Sequence, residues 1–439
     1  MRLDLIKIIV LISVFLTGLQ EQLKAQSPSK RQIVEAAERE FADKKYYGAL
    51  VYYNEALEYD PMDKNILFKS AEAARLFNSY NRAAEKYQYL VDSLNDDSTP
   101  LAIFWLGSMK QNMGKYDEAR KYFDMYLSEF GGLDTFYTAK AKKELASIEY
   151  AAGQTSNYKR NIKFEKLGDD INTTASEVGG HQFNDEFYFS SMRYKEENPI
   201  SLPARDISKI LKRTKDSLII PLDGYINNRD FLVANSSLSS SGTHIYYTVC
   251  EYINGSEIRC DIYRSNIDAS GTLSNEIKLP DPVNLPGTTS THPHITTDKV
   301  TGKEILYFVS NRPGGKGGMD IWYSLIDVKF GYSQPVNIIE INTLDDEITP
   351  FYNNSTDFLY FSSNGRTGLG GFDVYKAGKI NDAFGGVVSV GVPVNSSYHD
   401  IYYSENKEGN RAFLSSNREG SYYLDSYYES CCYDIYKME

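Results

Sequence analysis

The sequence predicts a multidomain chain in which all-α helical repeats precede an all-β propeller of five blades, with six as the alternative count. Three observations predict it. Residues 30–153 are rich in Ala, Lys, Glu, Leu and Tyr and poor in Gly, whereas residues 160–439 are rich in Ser, Asn, Gly, Tyr and Ile. In the first region small and aromatic residues recur every 34 to 36 positions. In the second, Tyr307–Tyr323, YFVSNRPGGKGGMDIWY, returns as YFSSNGRTGLGGFDVY at Tyr360–Tyr375. Phe308 and Phe361, Ser310 and Ser363, Gly318 and Gly371, and Asp320 and Asp373 are all 53 residues apart. A fixed period of that size, holding alternating strand residues, a glycine-rich turn and a second strand, is what a repeated β-sheet unit writes into sequence.

Taken in chain order, Arg2 and Lys7 come first, followed by the apolar run Ile8–Leu19 and a small residue, Ala25, before Gln26. A run of 12 residues is shorter than the roughly 20 a membrane-spanning helix needs and fits a secretory signal peptide over residues 1–25. An exported chain meets oxidising conditions, which bears on its four cysteines. A three-residue hairpin loop at Asn254, Gly255 and Ser256 would set Cys250 opposite Cys260, so a disulfide is expected there; two buried free thiols are the alternative. Cys431 and Cys432 are adjacent, and the sequence does not say with what they pair; without a CxxC pair no zinc site or other cofactor is expected.

Three segments of the helical region share intervals of 12, 4 and 3: Ala37, Ala49, Tyr53, Ala56; Ala71, Ala83, Tyr87, Leu90; and Gly107, Ala119, Phe123, Tyr126. Small residues let two antiparallel helices approach, and the aromatic one turn later fills the space beyond. Turns are predicted at Tyr46-Tyr47-Gly48 and Met113-Gly114-Lys115, with Asp60-Pro61 closing the first unit. The pattern resembles the tetratricopeptide repeat, whose period is the 34 residues from Ala49 to Ala83. That resemblance implies three repeats and a closing helix, Thr135–Ala152, with a concave face that holds peptides or helices of partners. Mere docking on the second domain is the alternative use of the stack.

In the β region degenerate copies join the two sharp ones. The short Asp-containing strands begin at Asp206, Asp261, Asp320, Asp373 and Asp434, and their upstream halves read DPVNLPG, QPVNIIEINT and VPVNSS. Four strands per unit and five units predict a propeller, with Asn161–Leu167 supplying the strand that the last unit lacks and so closing the ring. The aromatic, Ser, Asn, Arg, Gly-Gly and Asp-Ile-Tyr signature resembles the WD40-like repeats of TolB-type propellers over most of residues 160–439. Gly318, Gly371, Asp261, Asp320, Asp373 and Asp434 are expected to be blade scaffold: glycines at positive φ and aspartates bonding turn amides. Gly314, Gly315, Gly317 and Gly318 lack the GK[ST] and the helix that a phosphate loop requires.

A net charge of −12 withholds the field that phosphate binding uses, so nucleic acid is not expected as a partner. Lys209, Lys212, Arg213 and Lys215 read as a solvated loop cluster. Among five histidines, His292 and His294 form an HxH pair, but His294 falls near the position of Phe351 in another unit, so packing is the expected role. Asp268–Thr272 has the wrong spacing for a sialidase-type Asp box. No GxSxG, HExxH or Walker loop occurs, and the chain is expected not to be an enzyme.

Helical repeats and a TolB-like propeller behind a signal peptide resemble periplasmic components of type IX secretion and gliding machinery. The chain ends at the propeller, so the OmpA-like peptidoglycan-binding domain of those relatives is not expected. The resemblance implies an exported, periplasmic or outer-membrane-associated scaffold that binds protein partners of the cell envelope, such as an outer-membrane barrel. The alternative is a propeller that binds glycan or peptidoglycan at its axial mouth. Binding is expected where the units differ: the loop Lys195–Tyr225, the axial mouth and the helical groove.

Overall fold

The computed structural model describes residues 28–93, 99–154, 162–197, 205–225, 227, 230–253, 257–268, 270–327, 329, 331–380, 383–429 and 432–439. The signal peptide expected over residues 1–25 lies outside them. The helical region forms α1 (Lys30–Ala42), α2 (Tyr46–Tyr59), α3 (Lys64–Leu76), α4 (Tyr80–Ser93), α5 (Thr99–Asn112), α6 (Tyr116–Phe130) and α7 (Thr135–Gln154). Ser29 starts α1 with a capping box to Gln32, and Asp63 caps α3 at the Ile66 amide. Ala37, Ala49, Ala71, Ala83 and Ala119 are fully buried where helices meet, and Tyr53, Tyr87, Phe123 and Tyr126 fill the space between. A Cβ on Gly107 would stand 3.1 Å from the Phe123 ring, which is why that position carries none.

The turn within each pair rests on one left-handed residue: Lys44, Asn78 and Gly114, at φ 58°, 59° and 71°. These recur at the repeat period. The turn predicted at Tyr46–Gly48 is therefore misplaced by three residues: Tyr46 already begins α2, because Lys44 tolerates the conformation that glycine usually supplies.

The β region is a ring of five four-stranded sheets with inner strands Glu177–Phe183, Leu232–Leu238, Ser290–Thr297, Glu347–Asn353 and Asp400–Glu405. In blade 3 the fourth position is shared by two short pieces, Gly331–Tyr332 and Val336–Asn337. Phe164–Lys166 forms the outer strand of blade 5, in register Phe164↔Met438 and Lys166↔Tyr436, so the first strand of the domain closes the ring with the last. Five apolar clusters follow, one per blade interface; the closing one joins Phe187 and Phe189 of blade 1 to Phe413 and Ile435 of blade 5. Burial of these strand faces is the main force holding the ring together.

Buried polar braces fix each blade to the connection that leads into the next one around the ring. Asn172, Asn227, Asn284, Asn342 and Asn395 each accept from and donate to the backbone of one third-strand residue: Ile435, Ile210, Ile262, Ile321 and Val374 respectively. Arg193, Arg312, Arg366 and Arg418 reach back to carbonyls of the same connections. The repeated PVN tripeptide misleads at one place: Asn337 of QPVN lies on the outer strand of blade 3, and its true counterpart of Asn284 and Asn395 is Asn342, five residues on.

The glycine-rich turns owe their composition to close approach more than to dihedral freedom. Gly314 alone of its four has positive φ. A Cβ on Gly317 would collide with the Asp345 carbonyl, on Gly318 with Asp346, and on Gly371 with His399. Asp320 accepts from the Gly317 amide at 3.2 Å, Asp373 from Leu369 and Gly370 at 2.8 and 3.1 Å, and Asp434 from Tyr422 at 2.8 Å. Asp261 instead pairs with Lys278. In blade 1 the register opposite Ser191 is held by Lys209, so Asp206 is not the equivalent aspartate.

Lys209, Lys212 and Arg213 sit on the strand Asp206–Arg213, not on a loop, and Lys212 is buried in an ion pair with Glu186 at 2.8 Å. The stretch Lys195–Tyr225 is likewise no long loop, since it carries that strand and Ile219–Pro221. Cys250 faces Cys260 across the blade 2 hairpin and the two form a disulfide. The hairpin tip at 254–256 and Cys431 lie outside the described residues.

Candidate functional site

Each inner strand breaks its register once, between Val178 and His181, Ala234 and Ser237, Thr291 and His294, Ile348 and Phe351, and Ile401 and Ser404. The residue at the break is left-handed in all five blades: Gly179, Asn235, His292, Thr349 and Tyr402, with φ between 48° and 69°. A non-glycine there costs on the order of 1–2 kcal/mol, and four blades bear it. Hydroxyls of neighbouring blades hold the bulge amides: Ser415 takes that of Gly179, Ser190 that of Asn235, Thr248 that of His292 and Thr349 that of Tyr402, at 3.0–3.2 Å. The five bulges turn their residues toward the ring axis, where they border a cavity of about 160 Å³.

The Tyr402 hydroxyl bonds Asn235 Oδ1 across the ring at 2.5 Å. His292 packs edge-on against Tyr402 at 5.3 Å, and His294 against Phe351 at 5.0 Å. His181 stacks on Tyr188. Burial lowers the basicity of all three imidazoles, His292 and His294 down to about 4, so they are neutral at pH 7. His181 Nδ1 lies 3.1 Å from the Gly179 carbonyl and must be the protonated nitrogen, which leaves Nε2 as an acceptor. His181 Nε2, His292 Nδ1 and Ser236 Oγ are buried with no hydrogen-bond partner among the described residues. Glu405 is the carboxylate of the described lining; Tyr403 and Asn353 already bond it.

The helices approach the opposite end of the ring. The Tyr47 hydroxyl donates to Asp425 at 2.8 Å, and Arg82 to the Tyr427 carbonyl at 2.9 Å. Asn417 reaches the Tyr80 hydroxyl, Tyr116 donates to the Leu369 carbonyl at 2.9 Å, and Lys140 pairs with Asp345 at 2.8 Å. Tyr428 is buried in the helical core beside Tyr47. The partners belong to loops of blades 4 and 5 on the side where inner strands begin, whereas the cavity lining runs to Phe183, Leu238 and Glu405, where those strands end. Blade 5 contributes most, through the long tyrosine-rich connection between Ser416 and Asp434 that replaces the glycine turn of blades 3 and 4.

Docking uses the turn edges of the stack and the last helix. A second set of side chains runs across the first helices of the pairs: Glu38 of α1 bonds Lys69 of α3, Glu72 pairs with Arg75, and Arg75 lies 3.8 Å over the Trp105 ring of α5. Trp105 meets Tyr137 of α7 edge-on at 6.0 Å. This charged and aromatic stripe is partly exposed.

No family model matches the chain, and no curated protein does. Among solved structures, the α-L-arabinofuranosidase of Lactobacillus brevis aligns over 64% of this chain and 93% of its own at 12% identity and TM-score 0.40. An α-L-arabinofuranosidase of Podospora anserina, in complex with cellotriose, aligns over 62% and 93% at 10% identity and TM-score 0.39. The Sgt2 tetratricopeptide domain of Aspergillus fumigatus covers 34% of this chain and 92% of its own at 19% identity and TM-score 0.25. The expectation that the chain is not an enzyme is corrected here: glycosidases are among the solved structures with which it aligns, at 10–12% identity, and missing hydrolase motifs do not exclude catalysis.

The HxH pair does reach the cavity, with His294 packed on Phe351 as its repeat position implies. Asn235 and Tyr402 escaped the reading of the sequence, because the bulge position bears a different residue in every blade and so leaves no repeated letter, and nothing in the sequence marked His181 or Ser236 beside it. The available signal was the register of the inner strands.

Proposed function

We propose that this chain is an exported scaffold of the cell envelope that binds a protein partner along the stripe of its first helices, within an outer-membrane assembly of the type IX secretion kind. The observation that carries the reading is the mode of docking: turn edges and α7 grip the propeller, and the face bearing Glu38, Lys69, Arg75 and Trp105 is left to a partner. Stacked helix pairs bind extended peptides and helices on such faces. The leader-like N-terminus and the hairpin disulfide support an oxidising compartment. The propeller then serves as a rigid platform that fixes the stack's orientation.

The test is fractionation of producing cells with affinity capture of the full chain from the envelope fraction. The reading expects one stoichiometric protein partner, lost with Lys69→Glu and retained with Glu85→Lys on a second helix. Recovery of the chain only from the cytoplasm, or a partner indifferent to Lys69→Glu, counts against it.

A further inference from the structure

Beyond protein binding, we infer that the axial cavity is a recognition site for a single neutral sugar ring, free or as the end residue of a glycan. Its lining dictates the class. No lysine or arginine is among the described residues that border it, and its imidazoles are uncharged, so a phosphate or carboxylate has no counter-charge there. Glu405 is engaged by Tyr403 and Asn353, so no free carboxylate awaits a cation.

What the cavity does offer is unpaired hydrogen-bonding capacity beside aromatic faces. His181 Nε2 accepts only, and Ser236 Oγ can do either. A buried acceptor without a partner is costly, and a ligand that brings a hydroxyl donor relieves that cost. Phe351 and Tyr403 give apolar surface for the C–H face of a ring. The volume of about 160 Å³ is close to the roughly 150 Å³ known to accept one benzene-sized ring. The Tyr402–Asn235 bond ties two of the lining residues together across the ring.

The test is saturation-transfer NMR on the full chain with glucose, galactose, N-acetylglucosamine and xylose, and with the matching disaccharides to separate free sugar from chain end. Choline and zinc ion serve as the amine and metal arms. At least one neutral sugar should give saturable transfer. Ser236→Ala, at an unchanged melting temperature, and His181→Phe, which keeps the stack on Tyr188 but removes Nε2, should weaken it about fivefold or more, the loss of roughly one hydrogen bond. Absence of transfer from every sugar, transfer untouched by both variants, or preference for choline or zinc would overturn the inference. None of these outcomes depends on the helical stripe, so it stands or falls apart from the scaffold reading.

Discussion

Asn284→Ala separates the fold described here from a motif-level reading of the same residues. Asn284 is buried, accepts from the Ile262 amide at 2.8 Å, and donates to the Ile262 and Leu279 carbonyls, each at 2.8 Å. Alanine strands one buried N–H and removes a bond from two buried carbonyls. At about 1–3 kcal/mol for each group left without a partner, partly relieved by water, the loss is about 3 kcal/mol. For a domain of this size that lowers Tm by about 6–12 °C. Asn337 stands in the same tripeptide of the next unit, but it bonds Asp320 at 3.0 Å and Asn342 at 3.1 Å near the surface; Asn337→Ala is expected to cost about 1 kcal/mol or less. Asn342→Ala should match Asn284→Ala. Thermal and urea unfolding of the three variants side by side is the assay. Equal losses at Asn284 and Asn337, or a loss under about 1 kcal/mol at Asn284, would refute the bracing argument.

Three further outcomes follow from the same geometry. Burial, and then repulsion from Asp400, push Asp373 up to about 8, so between about pH 4 and 8 the folded chain holds a proton that the unfolded chain releases. Stability attributable to this group therefore falls as pH rises through that window, by up to about 1.4 kcal/mol per pH unit, and Asp373→Asn, which keeps an acceptor for the Leu369 and Gly370 amides, should flatten that slope in pH-dependent urea unfolding. Replacing Cys250 and Cys260 by serine should cost about 2–3 kcal/mol relative to the oxidised protein, the entropy of a loop of roughly ten residues, while reductant leaves the variant's stability unchanged. Phe164→Asp should lower Tm and promote self-association seen by light scattering, because Phe164 stacks on Tyr436 at 5.2 Å and its strand covers the open edge of blade 5; unchanged Tm and monodispersity would contradict the closure.

Much of the architecture was legible because it repeats. Ala49 and Ala83, or Ser310 and Ser363, are legible as pairs since each copy solves the same packing problem with the same residue. Blade number and ring closure came from counting such copies and from the strand-like alternation before blade 1. Legibility failed where a repeated letter changed its place or a repeated place changed its letter. Asn337 has the motif without the position, while Asn342 has the position without the motif, because the outer strand of blade 3 is interrupted between Tyr332 and Val336. Lys44 and Asn78 take a conformation that Gly114 alone announces. The axial ring is the extreme case: five left-handed residues of five different types share one backbone role and no side-chain identity. Long-range docking was likewise silent, since the pairing of Tyr47 with Asp425 across 378 positions depends on a connection that only blade 5 carries.

Helices and propeller form one body, held by turn edges against blades 4 and 5, with the first-helix stripe and the axial mouth open on separate faces. Pulsed electron-spin distance measurement tests it most directly, with spin labels on Lys64→Cys in α3 and on Val300→Cys, a highly exposed site of blade 3. One narrow distance distribution is expected, broadening when Tyr47→Ala and Tyr428→Ala are combined. A broad distribution in the otherwise unaltered chain would contradict it.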